Sequence, residues 1–240
     1  MQFTIEENRA LTSWVWSMTL KGENSGITRP GQFVQLQLPG FYLRRPISVC
    51  QWDATHLRLV YKVVGQGTEA MTGMKPGTTL DVLTGLGNGF DVEACGASPL
   101  LVGGGVGLPP LVGLAAALQQ AGKKPQVAVG FGTAEEIFLK DDLERMGVPV
   151  HIATMDGSVG VQGLVTRAME GIAFDSVCAC GPEPMLKAVY NFADVPGQFS
   201  FEERMGCGFG ACMGCSCKTK HGTKRICKDG PVLRREEILW

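Results

Sequence analysis

Through the first 95 residues the hydrophobic positions fall in short strand-like runs, at 32–38, 47–51, 56–64 and 79–83, separated by Gly and Pro. Turn signals at roughly 8–12-residue intervals predict a small antiparallel sandwich or barrel. From residue 100 to about 199 the texture changes. Apolar runs at 100–102, 127–131, 150–154 and 176–179 alternate with helical stretches at 110–121, 134–146, 163–170 and 183–192. That alternation predicts βαβ units and a parallel, doubly wound sheet. Residues 200–240 are too few for a core of their own, so a metal centre is expected to replace it. The expected class is α/β plus all-β: an antiparallel β-barrel over 1–96, a Rossmann-like domain over 97–199 and a small module over 200–240.

Charge narrows the partners. A net charge of −1 with no long run of Lys or Arg gives no basic face for nucleic acid. The N-terminus, MQFTIEENRALTSWVW, is acidic where a signal peptide has a basic head, so a cytoplasmic chain is expected. The one uncharged run long enough for a bilayer, 99–118, holds five glycines plus Pro109 and Pro110 and reads as a buried strand, turn and helix. No membrane span is expected. Glycine, 33 of 240 residues, is about twice the usual share of roughly 7% and is clustered where backbone must turn or approach a ligand.

Nine cysteines without an export signal point to metal or redox chemistry. Cys50, Cys95, Cys178 and Cys180 are scattered, whereas Cys207, Cys212, Cys215, Cys217 and Cys227 lie within the last 34 residues. Cys207, Cys212 and Cys215 are spaced C-x4-C-x2-C, with Cys227 eleven residues on, which is the plant-type [2Fe–2S] spacing. Gly206, Gly208, Gly210 and Gly214 are expected to supply the positive φ angles that turn backbone N–H groups inward. A zinc site is the alternative, but it usually shows two C-x2-C pairs and only one is present. Cys217 could in principle substitute for Cys215; C-x2-C geometry favours Cys215.

After the apolar run 100–102 come Gly103, Gly104, Gly105, Gly107 and, opening the helix, Pro110. A glycine turn between strand and helix lets backbone approach a pyrophosphate, whose charge the helix N-terminus attracts; a tight structural turn is the alternative. Glu135 and Glu136 are the nearest acidic candidates for a ribose hydroxyl, or else a solvated helix start. Cys180 and Gly181 end the last apolar run, at the strand edge where open sheets bind ligands, and Cys180 is placed near a nicotinamide unless it is a core cysteine.

In the first segment Arg45, Pro46, Ile47 and Ser48 open a strand, and Val60, Tyr61, Lys62, Gly67 and Thr68 follow. Arginine for a phosphate, a hydroxyl for a ring edge and a glycine turn are what a dinucleotide needs. In this order the motifs resemble the ferredoxin–NADP reductase superfamily, with R-x-Y-S, G-G-G-x-G-x-x-P and C-G-x-x. Ile47 stands where that superfamily has a stacking Tyr, so an apolar contact is expected in its place. The R-P-I-S run, Y-[KR]-V-x-G-x-G-T, G-x-G-N-G-F at 85–90, E-x-R-M-x-C-G-x-G-A-C and C-x-D-G-P-V are similar to one subfamily, the electron-transfer subunits of type B dihydroorotate dehydrogenase.

That resemblance implies FAD on Arg45, Pro46, Ile47, Ser48, Val60, Tyr61, Lys62, Gly67 and Thr68, and a [2Fe–2S] cluster on Cys207, Cys212, Cys215 and Cys227. It implies NAD as acceptor, and an FMN-containing catalytic subunit that oxidises dihydroorotate to orotate in pyrimidine synthesis, two copies of each chain assembling. The residues fit that division of labour. A nicotinamide exchanges hydride, an iron–sulfur centre single electrons, and a flavin does both. His56, His151 and His221 are scattered and form no acid–base set, so the chain reads as a relay. Two alternatives remain open: a relay subunit of a sulfite reductase, hydrogenase or ferredoxin-linked transhydrogenase, and a zinc-stabilised binding module.

Overall fold

A computed structural model describes all 240 residues. The N-terminal part is a closed antiparallel barrel of β1 (Gln2–Ala10), β2 (Val15–Lys21), β3 (Phe33–Leu36), β4 (Arg45–Trp52), β5 (His56–Lys62) and β6 (Thr79–Leu86), with α1 (Gln66–Thr72) between the last two. The strand order is β1-β2-β5-β4-β3-β6, and β6 pairs back onto β1, so no edge is left unpaired. Inward residues such as Phe3, Ile5, Met18, Leu20, Val34, Leu36, Leu57, Leu59 and Tyr61 fill it. The pattern at 32–83 foreshadows β3 to β6, but β1 and β2 have no counterpart in it. Only Phe3 and Ile5 of β1 are buried, so the alternation that announces a strand is short there.

The second part is a seven-stranded sheet. Its elements are β7 (Pro99–Gly104), α2 (Leu108–Gln120), β8 (Gln126–Phe131), α3 (Lys140–Arg145), β9 (Val150–Thr154), β10 (Val161–Gln162), α4 (Val165–Met169), β11 (Ser176–Cys180), α5 (Glu183–Phe192) and β12 (Gly197–Ser200). The order is β10-β9-β8-β7-β11-β12-β15, where β15 (Val232–Arg234) comes from the C-terminal segment. Six strands run parallel and β15 is antiparallel to β12. The chain winds outward from β7 through β8, then returns to β7's other side with β11. The crevice between the ends of β7 and β11 is therefore the topological switch point.

Two expectations need correcting. The helix at 134–146 is broken into a 3-10 turn, Ala134–Glu136, and α3, with Leu139 between them at φ 58°. Burying Phe138 and Leu139 requires that break, and Phe138 meets the Phe131 ring edge-on at 5.5 Å. Residues 200–240 also do not stand apart. Besides β15 they form a hairpin of β13 (Ser216–Thr219) and β14 (Gly222–Arg225), and Cys215, Ile226 and Cys227 share one core with Val177, Leu186 and Phe199. The short segment borrows the core it cannot build.

Close contacts join the parts. Helix α2 crosses β4 at Gly113, where a Cβ would fall 2.6 Å from the Cys50 carbonyl oxygen. Arg58 on β5 pairs with Asp142 on α3 at 2.6 Å. Asn88, in the G-x-G-N-G-F motif, donates to the Val232 carbonyl (2.8 Å) and accepts the Val232 N–H (3.1 Å), clamping the C-terminal segment. This motif is thus structural here.

Candidate functional site

Three sites meet around the barrel. In the cysteine loop, Cys207 is half-buried, Cys212 exposed, and Cys215 and Cys227 buried. The N–H groups of Ala211 and Cys212 donate to Cys207 Sγ at 3.2 and 3.4 Å, and the Cys227 N–H donates to Cys215 Sγ at 3.4 Å. Burial acts to raise the Cys207 thiol, but the N–H groups of Cys212, Phe209 and Ala211 with the Cys212 side chain outweigh it and bring it below the usual range. Burial, then the neighbouring Cys215, push Cys227 the other way. Two backbone turns thus aim N–H groups at sulfur, one at Cys207 and one at Cys215. Thiolate-directed N–H groups suit an iron–sulfur cluster, whose positive charge would let the buried thiols ionise.

Gly208 (φ 80°) and Gly210 (φ 90°) take the expected positive φ. Gly206 and Gly214 do not, and the remaining left-handed residue is Met213, at φ 61°. Gly206 and Gly214 both lie beside Cys212, where a Cβ would be in ordinary contact with its Sγ at 3.4 and 3.6 Å. Cys217 lies on β13 opposite Lys224.

On the barrel, Arg45, Pro46, Ile47 and Ser48 are half-buried along β4. Arg45 has no carboxylate partner: its Nη1 donates to the Leu43 carbonyl at 2.5 Å and the guanidinium lies 4.8 Å over the Phe41 ring. It abuts Gly67, where a Cβ would fall 2.0 Å from Nε. An unpaired cation against bare helix-start backbone can hold a phosphate. Thr68 closes this turn, its Oγ1 accepting the Val64 N–H (2.9 Å) and donating to the Gly65 carbonyl (3.0 Å). Ile47 is opposite Val34 and packs on the barrel core, offering an apolar edge rather than an aromatic plane. Val60 is buried between barrel and sheet. Tyr61 is in the barrel interior with its hydroxyl on Asn8 Oδ1 (3.1 Å), so only its backbone can face a ligand outside.

The switch point opens into a cavity of about 490 Å³, within the usual range for small-molecule sites. Gly104, Gly105, Gly107 and Gly181 line it. Gly105, at φ 50°, has nothing within 4 Å of where a Cβ would point, so its backbone is bare to the cavity. Gly103 and Pro110 do not line it: Gly103 is pressed under Leu108 and Pro110 is buried in α2. Cys180 also departs from its expected place. Its thiol is buried in the core and burial pushes it up to about 12, so it does not face the cavity. Glu136 does line it, its Oε2 accepting the Gly132 N–H at 2.9 Å. The barrel contributes Thr12, Trp14 and Lys62, and the C-terminal segment Glu202. Of these the sequence marked Lys62 and, as the first residue of E-x-R-M-x-C, Glu202; Thr12 and Trp14 were missed because the β1–β2 connection carries no motif.

Comparison with known proteins agrees with this layout. The iron–sulfur cluster binding domain of dihydroorotate dehydrogenase B matches residues 202–239. The electron transfer subunit of dihydroorotate dehydrogenase B (NAD(+)) from Fusobacterium nucleatum is 38% identical, the alignment covering 98% of this chain and 96% of that one. The Bacillus caldolyticus protein of the same name is 39% identical, covering 99% and 98%. A solved NADH-dependent reduced ferredoxin-NADP oxidoreductase, studied for flavin-based electron bifurcation, superposes with a TM-score of 0.89 at 32% identity, covering 99% of this chain and 90% of that one. A Neisseria gonorrhoeae ferredoxin NADP+ reductase with bound FAD and NADP shares the fold at a TM-score of 0.67 and 16% identity, covering 80% and 89%.

Proposed function

The chain belongs to the family of dihydroorotate dehydrogenase B electron transfer subunits, and from that membership we propose that it relays electrons from dihydroorotate, oxidised on a partner subunit, to NAD+. It carries FAD, a [2Fe–2S] cluster and a site for NAD. The observation that carries the reading is the arrangement around the barrel. Cys215 and Cys227 share a core with Phe33 of β3, while the cavity takes Trp14 from the β1–β2 connection and Lys62 from β5. The flavin strand β4 is between β3 and β5. Bound FAD supplies the exchange between hydride and single-electron chemistry. The protein's share is to hold, orient and shield. Arg45 and the Gly67 backbone would hold the pyrophosphate, and Ser48 and Ile47 would offer the flavin a hydroxyl and apolar surface. Gly104, Gly105 and Gly107 would hold the nucleotide phosphates, and Cys207, Cys212, Cys215 and Cys227 would hold the cluster.

The catalytic partner is an FMN-bearing dihydroorotate dehydrogenase subunit, two copies of each chain assemble, and the complex works in the cytoplasm. No helix of this chain is long and apolar enough to cross a membrane. The test is reconstitution. Alone, the chain is expected to pass electrons from NADH to artificial acceptors through FAD and to leave dihydroorotate untouched. Adding the FMN-bearing subunit creates dihydroorotate-dependent NAD+ reduction. The likeness to the ferredoxin-NADP oxidoreductase supports a second reading, a relay to ferredoxin. Turnover with a ferredoxin partner and none with the FMN subunit would establish that one instead.

Two substitutions test the flavin and nucleotide residues. Arg45→Ala removes a charge-assisted bond of about 1.5–3 kcal/mol, so FAD is expected to bind about tenfold to hundredfold more weakly. Unchanged FAD occupancy after extensive dilution makes Arg45 an ordinary surface arginine. Glu136 places a carboxylate in the cavity, which accepts ribose hydroxyls and repels a 2′-phosphate. Glu136→Gln is expected to narrow the preference for NADH over NADPH by about tenfold, equal to ~1.4 kcal/mol. An unaltered ratio of the two kcat/KM values removes Glu136 from the ribose site.

A further inference from the structure

Strand β3 reads Phe33-Val34-Gln35-Leu36, and all four residues are buried. Val34 and Leu36 point into the barrel; Phe33 and Gln35 point out of it. A glutamine only 1% exposed is unusual in that place. Burying an unbonded amide costs on the order of 1–3 kcal/mol, yet neither Gln35 Oε1 nor Nε2 has a hydrogen-bond partner. Leucine or methionine would fill the same space without that cost. Buried orphans of this kind call for a missing partner.

The neighbours say which partner. The amide is pressed against Gly208, next to Cys207, where a Cβ would fall 2.5 Å from Cδ and Oε1 and 2.6 Å from Nε2. Gly208 must therefore be glycine for two reasons, its φ of 80° and this approach. The other outward residue of β3, Phe33, packs in the core that holds Cys215 and Cys227. The outer face of β3 thus lies against the cysteine loop at Gly208 and against the core that holds Cys215 and Cys227. The flavin is the rival partner, since Gln35 is opposite Pro46 on β4. But β5, which carries Val60, Tyr61 and Lys62, lies on the far side of β4 from β3, and the direct contact is with the cysteine loop. Cluster sulfurs are acceptors, and hydrogen bonds to them help set the reduction potential.

Resting on the cluster reading of Cys207, Cys212, Cys215 and Cys227, we propose that Gln35 is a positioning residue whose Nε2 donates a hydrogen bond to a sulfur of the cluster and holds its potential up. It joins the thiolate-directed N–H groups of Ala211, Cys212 and Cys227, but it comes from the flavin barrel. Gln35 thereby ties the cluster loop to the flavin's own scaffold.

The experiment is a redox titration of the full chain assembled with its catalytic partner, comparing wild type with Gln35→Leu and Gln35→Met. Cluster reduction is followed by EPR and FAD by visible absorbance. Both variants are expected to keep iron and FAD, with the cluster midpoint shifted downward and the FAD midpoint unmoved. A shift in FAD alone assigns the amide to the flavin and overturns the proposal; no shift in either leaves Gln35 as filler and overturns it too. Should the leucine variant lose its iron, the unbranched methionine variant keeps the test open. Pulsed EPR of the reduced wild-type cluster with 15N-amide glutamine gives an independent readout. A nitrogen coupling that disappears in Gln35→Met is expected, and identical spectra refute the bond. Wild-type protein without iron would instead sink the ligand reading itself.

Discussion

Cys212→Ser is expected to abolish dihydroorotate-dependent NAD+ reduction in the assembled enzyme while leaving most NADH oxidation by a dye intact. Cys212 is the exposed member of the four, so the change opens no cavity. Cys215 and Cys227 are less suitable targets because they are built into the core shared with Val177 and Phe199, and altering them disturbs packing as well as ligation. A serine hydroxyl stays protonated where a thiol ionises, so one iron loses a ligand. The cluster drains while flavin and nucleotide sites, on other elements, remain. The measurement is the pair of rates in one preparation, together with iron and FAD content. A coupled rate that survives the loss of iron removes the cluster from the electron path. Full iron retention, through Cys217 for instance, refutes the ligand assignment.

Gly107→Ala is expected to give the complementary phenotype: iron and FAD retained, with NADH unable to reduce the flavin. A Cβ at Gly107 would fall 2.0 Å from the Cys180 carbonyl oxygen and 2.8 Å from Gly181 Cα, so the backbones at the ends of β7 and β11 must separate. No flexible side chain is available to give way. Overpacking of this kind costs about 1–3 kcal/mol, and spread over the phosphate turn it weakens nucleotide binding by about tenfold to hundredfold. The check is rapid-mixing reduction of FAD by NADH beside photochemical reduction of the same sample. Reduction by light but not by NADH locates the defect at the nucleotide cavity. Normal reduction by NADH means that Gly107 is only a tight turn. Gly105→Ala is the control for global damage, because its Cβ meets open space although its φ of 50° is strained.

The sequence by itself determined the parts whose chemistry is local. The C-x4-C-x2-C spacing put Cys207, Cys212 and Cys215 in one loop, because residues only a few positions apart must converge through their own backbone. The run Gly103–Gly107 marked the turn at the switch point, because a strand, a glycine turn and a helix follow one another directly. Helix α5 was legible to the residue, since its amphipathic stripe and its flanking Pro182 and Pro184 are local too. Only the tertiary structure decided how such pieces meet. Whether Cys180 presents a thiol or only its backbone depends on which face of β11 meets the core, and adjacent residues of a strand point opposite ways. Strand β15 completes a sheet begun 130 residues earlier, and nothing in its three residues encodes that partner. Trp14 reaches the cavity because β2 pairs with β5, its carbonyl accepting the Val63 N–H at 2.8 Å, and Gln35 meets Gly208 across 173 positions of chain. Periodicity reports how one element divides its own faces between water and core. Which surface covers that face is set by ladder register and helix packing between distant segments, and a single sequence carries no local signal of either.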